Sequence, residues 1–355
     1  MKSKMKSKIL LVGGTFDDNE GIPSSLVSKF SETLNVDKVY NGGNYKDLTS
    51  IIEKVKFYDV VFWWANVSNN YEKVRDVKSI SPRTLLITSK RNDNEKYSFP
   101  TLIGRALEQK ANLVVEFNKL DKFKMRVFDP LGTLWYEGFS IEDCSNAILK
   151  RLELLTSVTR VPTSRAGKAI LAPKNDEFYD YVKDKALTFH TLIPHDEEVT
   201  RFLGNSSFRC QKGFPSFRSD NSIYVSRRNI DKRYISKENF VKTFLDVNGN
   251  VCYYGKHKPS VDTPVQLKLY SLFKNINYMI HAHCYVQNAP FTTIAIPCGA
   301  IEEVDEIIKI TNDFKKRSYS FNLIGHGCIV MGNSVEDLTK FKFHARKIPE
   351  KLKNK

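Results

Sequence analysis

The sequence has few cysteines and no paired cysteine motif. Its six cysteines are scattered through 355 residues, and no two of them stand in a C-x-x-C arrangement. Scattered cysteines without this spacing are more typical of a reducing compartment than of a disulfide framework. We therefore expect reduced thiols.

Long apolar runs are also missing. No stretch approaches the roughly 18 apolar residues of a membrane span. The lysine-rich start, "MKSKMKSKILLVGG", leads into an apolar segment that soon ends at glycines. That segment is too short for the core of a secretory signal, and no small-residue cleavage site follows it. The sequence therefore predicts a cytoplasmic protein that does not contact a membrane.

Acidic residues are outnumbered by basic ones. The chain has 55 Lys and Arg residues against 40 Asp and Glu residues, which gives a formal net charge of +15. Lysines crowd both ends, where they are typical of solvated tails. A basic surface also attracts phosphorylated metabolites or nucleic acid. No zinc finger or RNP motif supports nucleic-acid binding, which stays an open alternative.

The first part of the chain alternates short apolar runs with amphipathic segments. The runs include "KILLVGG", "YDVVFWWANV", "RTLLITS" and "ANLVVEF", and the amphipathic segments include "PSSLVSKFSETL", "YKDLTSIIEKV" and "IEDCSNAILKRLELL". Strands that alternate with helices indicate a parallel sheet covered on both faces. Residues 1–157 are therefore predicted to form a doubly wound, flavodoxin-like or Rossmann-like α/β domain, with "KMRVFDPLGTLWYEG" as a hairpin at its edge.

Two glycines follow the first predicted strand in "LVGGTFDDNEGIPSSL". Gly13 and Gly14 would let a phosphate approach the backbone before a helix that begins near Pro23, but the G-x-G-x-x-G spacing is absent and a plain tight turn is the alternative. The later segment "TLIGRALEQKANLVV" faintly resembles nucleoside deoxyribosyltransferases. Leu102 replaces the nucleophilic Glu of that family, so the resemblance implies binding or scaffolding without glycosidic cleavage.

A segment rich in proline, glycine and small polar residues follows, and residues 158–178 are predicted to be a linker. Residues 179–355 are predicted to form a second α/β domain. Its predicted strands include "YMIHAHCYV", "TTIAIPCG" and "NLIGHGCIVMG", and its predicted helices include "SKENFVKTFL", "TPVQLKLYSLF" and "IEEVDEIIKITNDF".

Two histidines stand one residue apart in the apolar run "NYMIHAHCYVQ". Residues i and i+2 of a strand share one face, so His281 and His283 should project together. Two imidazoles can bind one divalent metal, and a catalytic site generally adds a third protein ligand. His326, between two glycines in "LIGHGCIVMG", is that third residue. The alternative is that these imidazoles make ordinary hydrogen bonds on a half-buried sheet.

Three segments occur in the order found in the class II aldolase/adducin family. They are "KHKPSVDTPVQLKLYSLFKNINYMIHAHCYVQNAP", an Ile-Pro-Cys segment and "LIGHGCIVMGNSVEDL". Residues 195–345 resemble this family, most closely its ribulose-5-phosphate 4-epimerase branch. The resemblance implies that His281, His283 and His326 bind a divalent metal ion, with Zn²⁺ expected. It also implies that Asp262 is the acidic residue beside the metal, in a catalytic or a structural role.

The phosphate-binding segments of the family are altered in this chain. The corresponding stretches contain Ser216, Ser226, Arg227, Arg228 and Ser260, so several hydroxyl and amide donors of the family pattern are missing. The two arginines are able to replace them, because a guanidinium binds phosphate through two hydrogen bonds, although arginines at a strand end are often solvated. No tyrosine follows the third histidine, so the C-terminal tyrosine of some members has no counterpart.

The sequence predicts a metal-dependent lyase or epimerase. Its substrate would be a small phosphorylated or polyhydroxylated carbonyl compound, and the reaction would pass through an enediolate that the metal stabilises. The resemblance implies a homo-oligomer, commonly a tetramer. Two alternatives stay open: a non-catalytic, adducin-like scaffold, and a nucleotide- or nucleic-acid-binding protein centred on the first domain.

Overall fold

The computed structural model describes residues 7–67, 74–92, 97–192, 204–209 and 222–347. These residues fall into two compact units. The first holds the described residues up to Glu153, and the second holds those from Leu154 onward. Among the described residues, no helix is both long enough and apolar enough to cross a membrane.

The first unit alternates strands with helices. Its strands are β1 (Ile9–Asp17), β2 (Lys38–Asn44), β3 (Val60–Val67), β4 (Leu85–Asn92), β5 (Leu113–Asn118), β6 (Lys124–Phe128) and β7 (Leu134–Gly138). Its helices are α1 (Ser25–Leu34), α2 (Tyr45–Lys54), α3 (Val74–Ile80) and α4 (Phe99–Glu108), and α5 (Ile141–Ser157) continues past the division between the units.

One seven-stranded sheet organises this unit, in the order β2-β1-β3-β4-β5-β6-β7. The first five strands are parallel, and β6 and β7 form an antiparallel hairpin at one edge. The predicted doubly wound α/β fold is confirmed, as is the edge hairpin. The strand order reverses at β1, as it does in flavodoxin-like sheets.

Helices cover both faces of this sheet, because successive side chains of its buried strands point to opposite sides. Trp63 packs in the cluster that contains the apolar side chains of α2 and α3. Trp64 points the other way, and its ring makes an edge contact with Phe30 of α1, with 4.9 Å between the ring centroids. A strand that is buried on both faces explains the continuous apolar run "VVFWW".

Gly13 and Gly14 lie within β1 and are packed against the chain itself. A Cβ atom on Gly13 would come within 2.3 Å of the Val27 side chain. Gly14 has a φ of +76°, and a Cβ atom there would approach the backbone of Gly42 and the Asn41 side chain. Close packing therefore accounts for both glycines, and the predicted tight turn at this position is wrong because β1 continues to Asp17; a bound phosphate there stays a prediction.

The second unit mixes short strands with helices. Its strands are β8 (Thr163–Gly167), β9 (Asn205–Arg209), β10 (Ile223–Ser226), β11 (Phe240–Leu245), β12 (Val251–Tyr254), β13 (Tyr278–Ala282), β14 (Tyr285–Val286), β15 (Ser318–Leu323), β16 (Gly327–Gly332) and β17 (Phe343–His344). Its helices after α5 are α6 (Asp176–Leu192), α7 (Thr263–Leu272), α8 (Glu302–Lys309) and α9 (Glu336–Thr339).

Two predicted elements of the second domain were wrong. "SKENFVKTFL" was predicted as a helix but forms a single 3-10 turn followed by β11, which pairs with both β10 and β12. "TTIAIPCG" was predicted as a strand but is irregular. In the first case, pairing on both edges of the strand outweighs a spacing of apolar residues that also fits a helix.

An eight-stranded sheet, in the order β15-β16-β13-β9-β10-β11-β12-β8, forms the centre of the second unit. Side chains of α6 pack on one face of it, with Ile280 and Ala282 of β13. Side chains of α7 and α8 pack on the other face, with Met279 of β13. The predicted linker, residues 158–178, contributes β8 to this sheet; the predicted domain boundaries themselves stay a prediction.

Candidate metal centre

The three histidines come from the ends of neighbouring elements. His281 lies in β13 on the face that α7 and α8 cover, and His283 follows the end of that strand. His326 lies in the turn between β15 and β16. Gly327 allows this turn to approach, because a Cβ atom there would come within 2.0 Å of the Ala282 carbonyl oxygen. The glycine after His326 is therefore required by the packing.

The structure brings these three side chains together in the interior. Potential ligand atoms of His281, His283 and His326 all lie within 4.8 Å of one another. The three side chains are buried, with exposed fractions of 2%, 6% and 2%. The alternative from the sequence placed these imidazoles on a half-buried sheet. The three rings are buried instead, so this part of the alternative is not observed.

The hydrogen bonds of two rings fix where their lone pairs point. His281 Nδ1 lies 2.9 Å from the Cys328 carbonyl oxygen, and His326 Nδ1 lies 3.0 Å from the Glu303 carboxylate. Both partners can only accept, so each Nδ1 carries the hydrogen, and Nε2 of the neutral ring carries a lone pair. Those Nε2 atoms, and Nδ1 of His283, are buried and receive no hydrogen bond from the described residues.

Burial and mutual repulsion set the charge of the cluster. Burial is the largest influence on the pKa of His281, and with the nearby His326 it lowers that pKa to about 4. Burial also lowers the pKa of His283 well below its usual value. Burial lowers the pKa of His326 too, but the Glu303 carboxylate outweighs this effect, and the net shift is upward. Two of the three rings are therefore neutral near pH 7.

Asp262 lies beside the histidines, immediately before α7. Its Oδ2 lies 3.9 Å from His281 Nε2 and accepts a 2.8 Å hydrogen bond from the Asn205 amide. The Cys298 thiol donates to its Oδ1 at 3.0 Å. Burial alone would raise the pKa of this carboxyl group, but the two nearest histidines and the thiol hold it below its usual value. The carboxylate is therefore ionised, buried and next to the three lone pairs.

Sequence reasoning missed Glu303 and Cys298 at this site. Glu303 belongs to α8, 2% of its surface is exposed, and it orients His326. Cys298 forms with Asp262 and His326 a second group whose ligand atoms lie within 4.8 Å of one another. The only signal in the sequence is the Ile-Pro-Cys segment, which ends at Cys298 and stands between the two histidine motifs.

Sequence reasoning also missed Lys232. Burial lowers the pKa of this lysine to about 8, and Asp262 acts on it electrostatically. A buried lysine that interacts with the carboxylate of the centre brings a positive charge close to the cluster.

The three serines predicted to bind substrate differ in their surroundings. Ser226 is fully buried, and its hydroxyl accepts a hydrogen bond from the Ser206 backbone N–H, so it is committed to the fold. Ser260 lies nearer the centre, with Oγ 3.5 Å from Asp262 Oδ2. Ser216 lies outside the described residues.

The two predicted arginines pack on the segment that leads to Asp262. Arg227 pairs through its backbone with Pro259, and the Arg228 side chain donates to the Pro259 carbonyl oxygen at 3.0 Å. Both therefore lie close in space to the segment that carries the carboxylate, although they are distant from it in the sequence. Whether they bind a substrate stays a prediction.

The residues present fit a divalent cation. Three buried lone pairs that converge without a donor repel one another, and a cation bound by neutral imidazoles removes that cost. The carbonyl and carboxylate on the far side of two rings are the partners that orient metal-binding histidines. Three nitrogen donors with an adjacent carboxylate suit Zn²⁺ and other transition metals better than Mg²⁺ or Ca²⁺, which prefer oxygen.

Comparisons with known proteins match the part of the chain that carries most of this centre. Residues 186–290 match the family model described as the Class II Aldolase and Adducin N-terminal domain, a range that includes Asp262, His281 and His283. An L-fuculose phosphate aldolase of Methanococcus maripaludis is 24% identical over 146 residues, which cover 35% of this chain and 75% of that protein.

Two solved structures are also similar to part of the chain. An L-fuculose 1-phosphate aldolase has a TM-score of 0.30 at 16% sequence identity. The match covers 47% of this chain and 82% of the aldolase chain. A DNA/pantothenate metabolism flavoprotein from Streptococcus pneumoniae has a TM-score of 0.35 at 13% sequence identity. The match covers 42% of this chain and 100% of the flavoprotein chain. The resemblance to the class II aldolase and adducin family that the sequence predicted is confirmed by the match of residues 186–290 to the family model.

Proposed function

We propose that the protein is a metal-dependent lyase or sugar-phosphate epimerase of the class II aldolase type. Its substrate would be a small phosphorylated or polyhydroxylated carbonyl compound. The observation that carries the proposal is the convergence of three buried imidazole lone pairs beside an ionised, buried carboxylate. The match to the family model agrees with this class of reaction.

His281, His283 and His326 would hold the metal ion, with Zn²⁺ expected from the nitrogen donors. When bound, a divalent cation acts as a Lewis acid toward carbonyl and hydroxyl oxygens of the substrate and reduces the cost of negative charge on them. Glu303 and the Cys328 carbonyl keep the rings in the tautomer that donates from Nδ1. Their role is to orient two of the ligands.

Asp262 is the group proposed to move a proton. Its carboxylate is ionised at neutral pH, so it is ready to accept a proton from a substrate carbon or hydroxyl. Hydrogen bonds from Asn205 to one oxygen and from Cys298 to the other hold the carboxylate in place. A general base fixed in this way is already oriented before a substrate binds.

Positive charges near the centre favour an anionic substrate. Lys232 and Arg346 both act electrostatically on His283. The Arg346 side chain is anchored close by, where it donates to the Gly325 carbonyl oxygen at 3.0 Å. A phosphate or carboxylate on the substrate would offset these charges. We also propose that the protein forms a homo-oligomer, commonly a tetramer, and that it is cytoplasmic, as expected from the sequence.

A substrate screen tests the proposal. Purified protein loaded with Zn²⁺, Mn²⁺ or Co²⁺ is assayed with ketose and aldose phosphates for carbon–carbon cleavage and for epimerisation. We expect metal-dependent turnover that Asp262→Asn lowers by about 10²- to 10⁴-fold, because a positioned acid–base group contributes that much. Asp180→Asn, which changes an exposed carboxylate on α6, should have wild-type activity.

Two results would count against the proposal. Undiminished turnover in Asp262→Asn would remove that residue from the chemistry. A folded, metal-loaded protein without turnover across the whole set would favour the adducin-like scaffold instead.

A further inference from the structure

Cys298 carries a partly exposed thiol at the edge of the candidate metal centre. Its Sγ atom lies 3.0 Å from Asp262 Oδ1 and donates to it. The thiol therefore faces the buried carboxylate of the centre. The proposed function uses this thiol only to hold that carboxylate in place.

The backbone around Cys298 holds the thiol at this position. Gly299 has a φ of +74°, and a Cβ atom there would come within 2.7 Å of the Val261 carbonyl oxygen, so the close approach of the two segments requires a glycine. The Arg160 guanidinium donates to the Cys298 carbonyl oxygen, and Arg160 also pairs through its backbone with Ala300. Contacts at Cys298 and at the two residues after it therefore fix this loop beside the chain that leads to α7.

The thiol converges with two other potential ligands. Ligand atoms of Asp262, Cys298 and His326 all lie within 4.8 Å of one another, and His326 also belongs to the set formed with His281 and His283. His326 Nε2 is buried, with 2% of the residue exposed, and receives no hydrogen bond from the described residues. A cation bound at this lone pair would therefore lie next to the thiol.

The separations suit a shared ion. Two ligand atoms of one tetrahedral Zn²⁺ ion are about 3–4 Å apart, because Zn–S and Zn–N bonds are about 2.3 Å and 2.0–2.1 Å long. Donor atoms that already lie within 4.8 Å of one another need only small movements to reach that arrangement.

Two other cysteines stand beside the histidines in the sequence but pack elsewhere. Cys284 and Cys328 are fully buried among the apolar side chains that pack with α6. His281 lies on the opposite face of the sheet, which α7 and α8 cover. Among the described cysteines, Cys298 is the one whose thiol belongs to a group of potential metal ligands.

We propose that Cys298 supplies a thiolate ligand to the metal ion and gives the centre a preference for Zn²⁺ over Mn²⁺. This inference rests on the metal binding of the proposed function. Thiolates favour soft and borderline ions such as Zn²⁺, whereas Mn²⁺ favours oxygen ligands. Zinc sites also expand to five ligands during a reaction, so a fourth protein ligand leaves room for a substrate oxygen.

Binding of the thiol involves a proton transfer without a change of oxidation state. The S–H bond of Cys298 breaks as the sulfur–metal bond forms, because the thiolate is the form that binds a metal. Asp262 Oδ1 already accepts this hydrogen and is the first acceptor of the proton, which then passes to solvent. The Asn205 amide still donates to Asp262 Oδ2 afterwards, so the carboxylate stays oriented.

Absorption spectroscopy of the reduced full chain loaded with Co²⁺ tests the inference. A thiolate ligand gives Co²⁺ a sulfur-to-metal charge-transfer band in the near ultraviolet, which imidazole and carboxylate ligands do not produce. We expect this band in the wild type and its loss in Cys298→Ser and Cys298→Ala, with about one Co²⁺ per chain still bound. Cys252→Ser, which changes a partly exposed thiol of β12 beside Ser164, is the matched control and should keep the band.

Competition with a chelator measures the metal preference. Loss of a residue that only orients a ligand costs about 10- to 100-fold in metal affinity, so Cys298→Ser should weaken Zn²⁺ binding by about tenfold or more. Mn²⁺ binding should fall less, because Mn²⁺ gains little from a sulfur ligand. Equal falls for both ions contradict the inference.

Failure of this inference differs from failure of the proposed function. Wild-type protein that binds Co²⁺ without the band, or folded Cys298 variants that keep the band, would contradict the thiolate ligand and leave the three-histidine centre standing. Wild-type protein that binds no Co²⁺ would contradict both. Thermal unfolding of the variants, compared with Cys252→Ser, shows that they are folded.

Discussion

The two units treat their buried polar groups differently. In the first unit, the buried Glu116 carboxylate is matched by Asn92 and Arg126. Among its described residues, buried polar atoms without a hydrogen bond are scattered; the indole N–H groups of Trp63 and Trp64, for example, are on opposite faces of the sheet. In the second unit, three imidazole nitrogens without a donor among the described residues meet within 4.8 Å.

This contrast separates structural from functional polar groups. A matched buried carboxylate contributes to folding, and its loss leaves its partners unsatisfied. A set of unmatched lone pairs that converge on one point lowers the stability of the metal-free protein. This loss of stability is regained only when a ligand such as a metal ion binds to them. Changes in the first class should alter stability, and changes in the second should alter metal binding.

Glu303→Gln should produce the largest effect on metal binding among residues that do not contact the metal themselves. The side-chain amide of the introduced glutamine still reaches His326. Without the negative charge of the carboxylate, it no longer favours a hydrogen on Nδ1 and no longer makes the imidazole a stronger metal ligand. We expect Zn²⁺ affinity to fall by about 10- to 100-fold. Competition with a chromophoric chelator measures the change. Glu302→Gln is the control on the same helix, and an equal loss in both variants would contradict the role given to Glu303.

Glu116→Gln should instead affect the first unit. Arg126 and Asn92 would lose a charged acceptor, so the free energy of unfolding should fall by on the order of 1–2 kcal/mol. Denaturant unfolding measures this, and the metal content of the variant should equal that of the wild type. The contrast between the units would break if Glu116→Gln lost metal and kept its stability.

The smallest predicted effect is a proton released on metal binding. The Glu303 carboxylate raises the pKa of His326, so a fraction of the metal-free protein carries a proton on this ring at mildly acidic pH. Metal binding needs the neutral ring, so affinity should rise as the pH increases through the pKa of His326. Zinc titrations in buffers of different ionisation enthalpy should show up to about one proton released at pH 6 and less at pH 8. Equal release at both values would contradict the shift.

Much of the fold could be predicted because its signals are local. The βαβ alternation gave the parallel sheet, and "KMRVFDPLGTLWYEG" gave the hairpin of β6 and β7. "SKENFVKTFL" misled because Phe240, Val241, Phe244 and Leu245 recur at a helical spacing, although this strand pairs on both edges. The pairing partners β10 and β12 lie outside this segment, so its own pattern of apolar residues could not distinguish a strand from a helix.

Part of the metal centre could be predicted, because some of its signals are also local in the sequence. The two-residue spacing of His281 and His283 and the glycines around His326 are local signals that pointed to convergence, and the structure shows it. Binding of a metal stays a prediction. Glu303 reaches the centre through the packing of α8 against the sheet, which no spacing in the sequence reveals. Cys298 belongs to the Ile-Pro-Cys segment, but the sequence does not show that its thiol contacts Asp262.

Elemental analysis of the purified protein tests the central claim most directly. Wild-type protein incubated with Zn²⁺ and then desalted should retain about one metal ion per chain, because three histidine ligands bind one ion. His281→Ala/His283→Ala should retain almost none, while the control His344→Ala, at an exposed histidine of β17, should match the wild type. Equal metal in the double variant and in the wild type, with both proteins folded, would contradict the account.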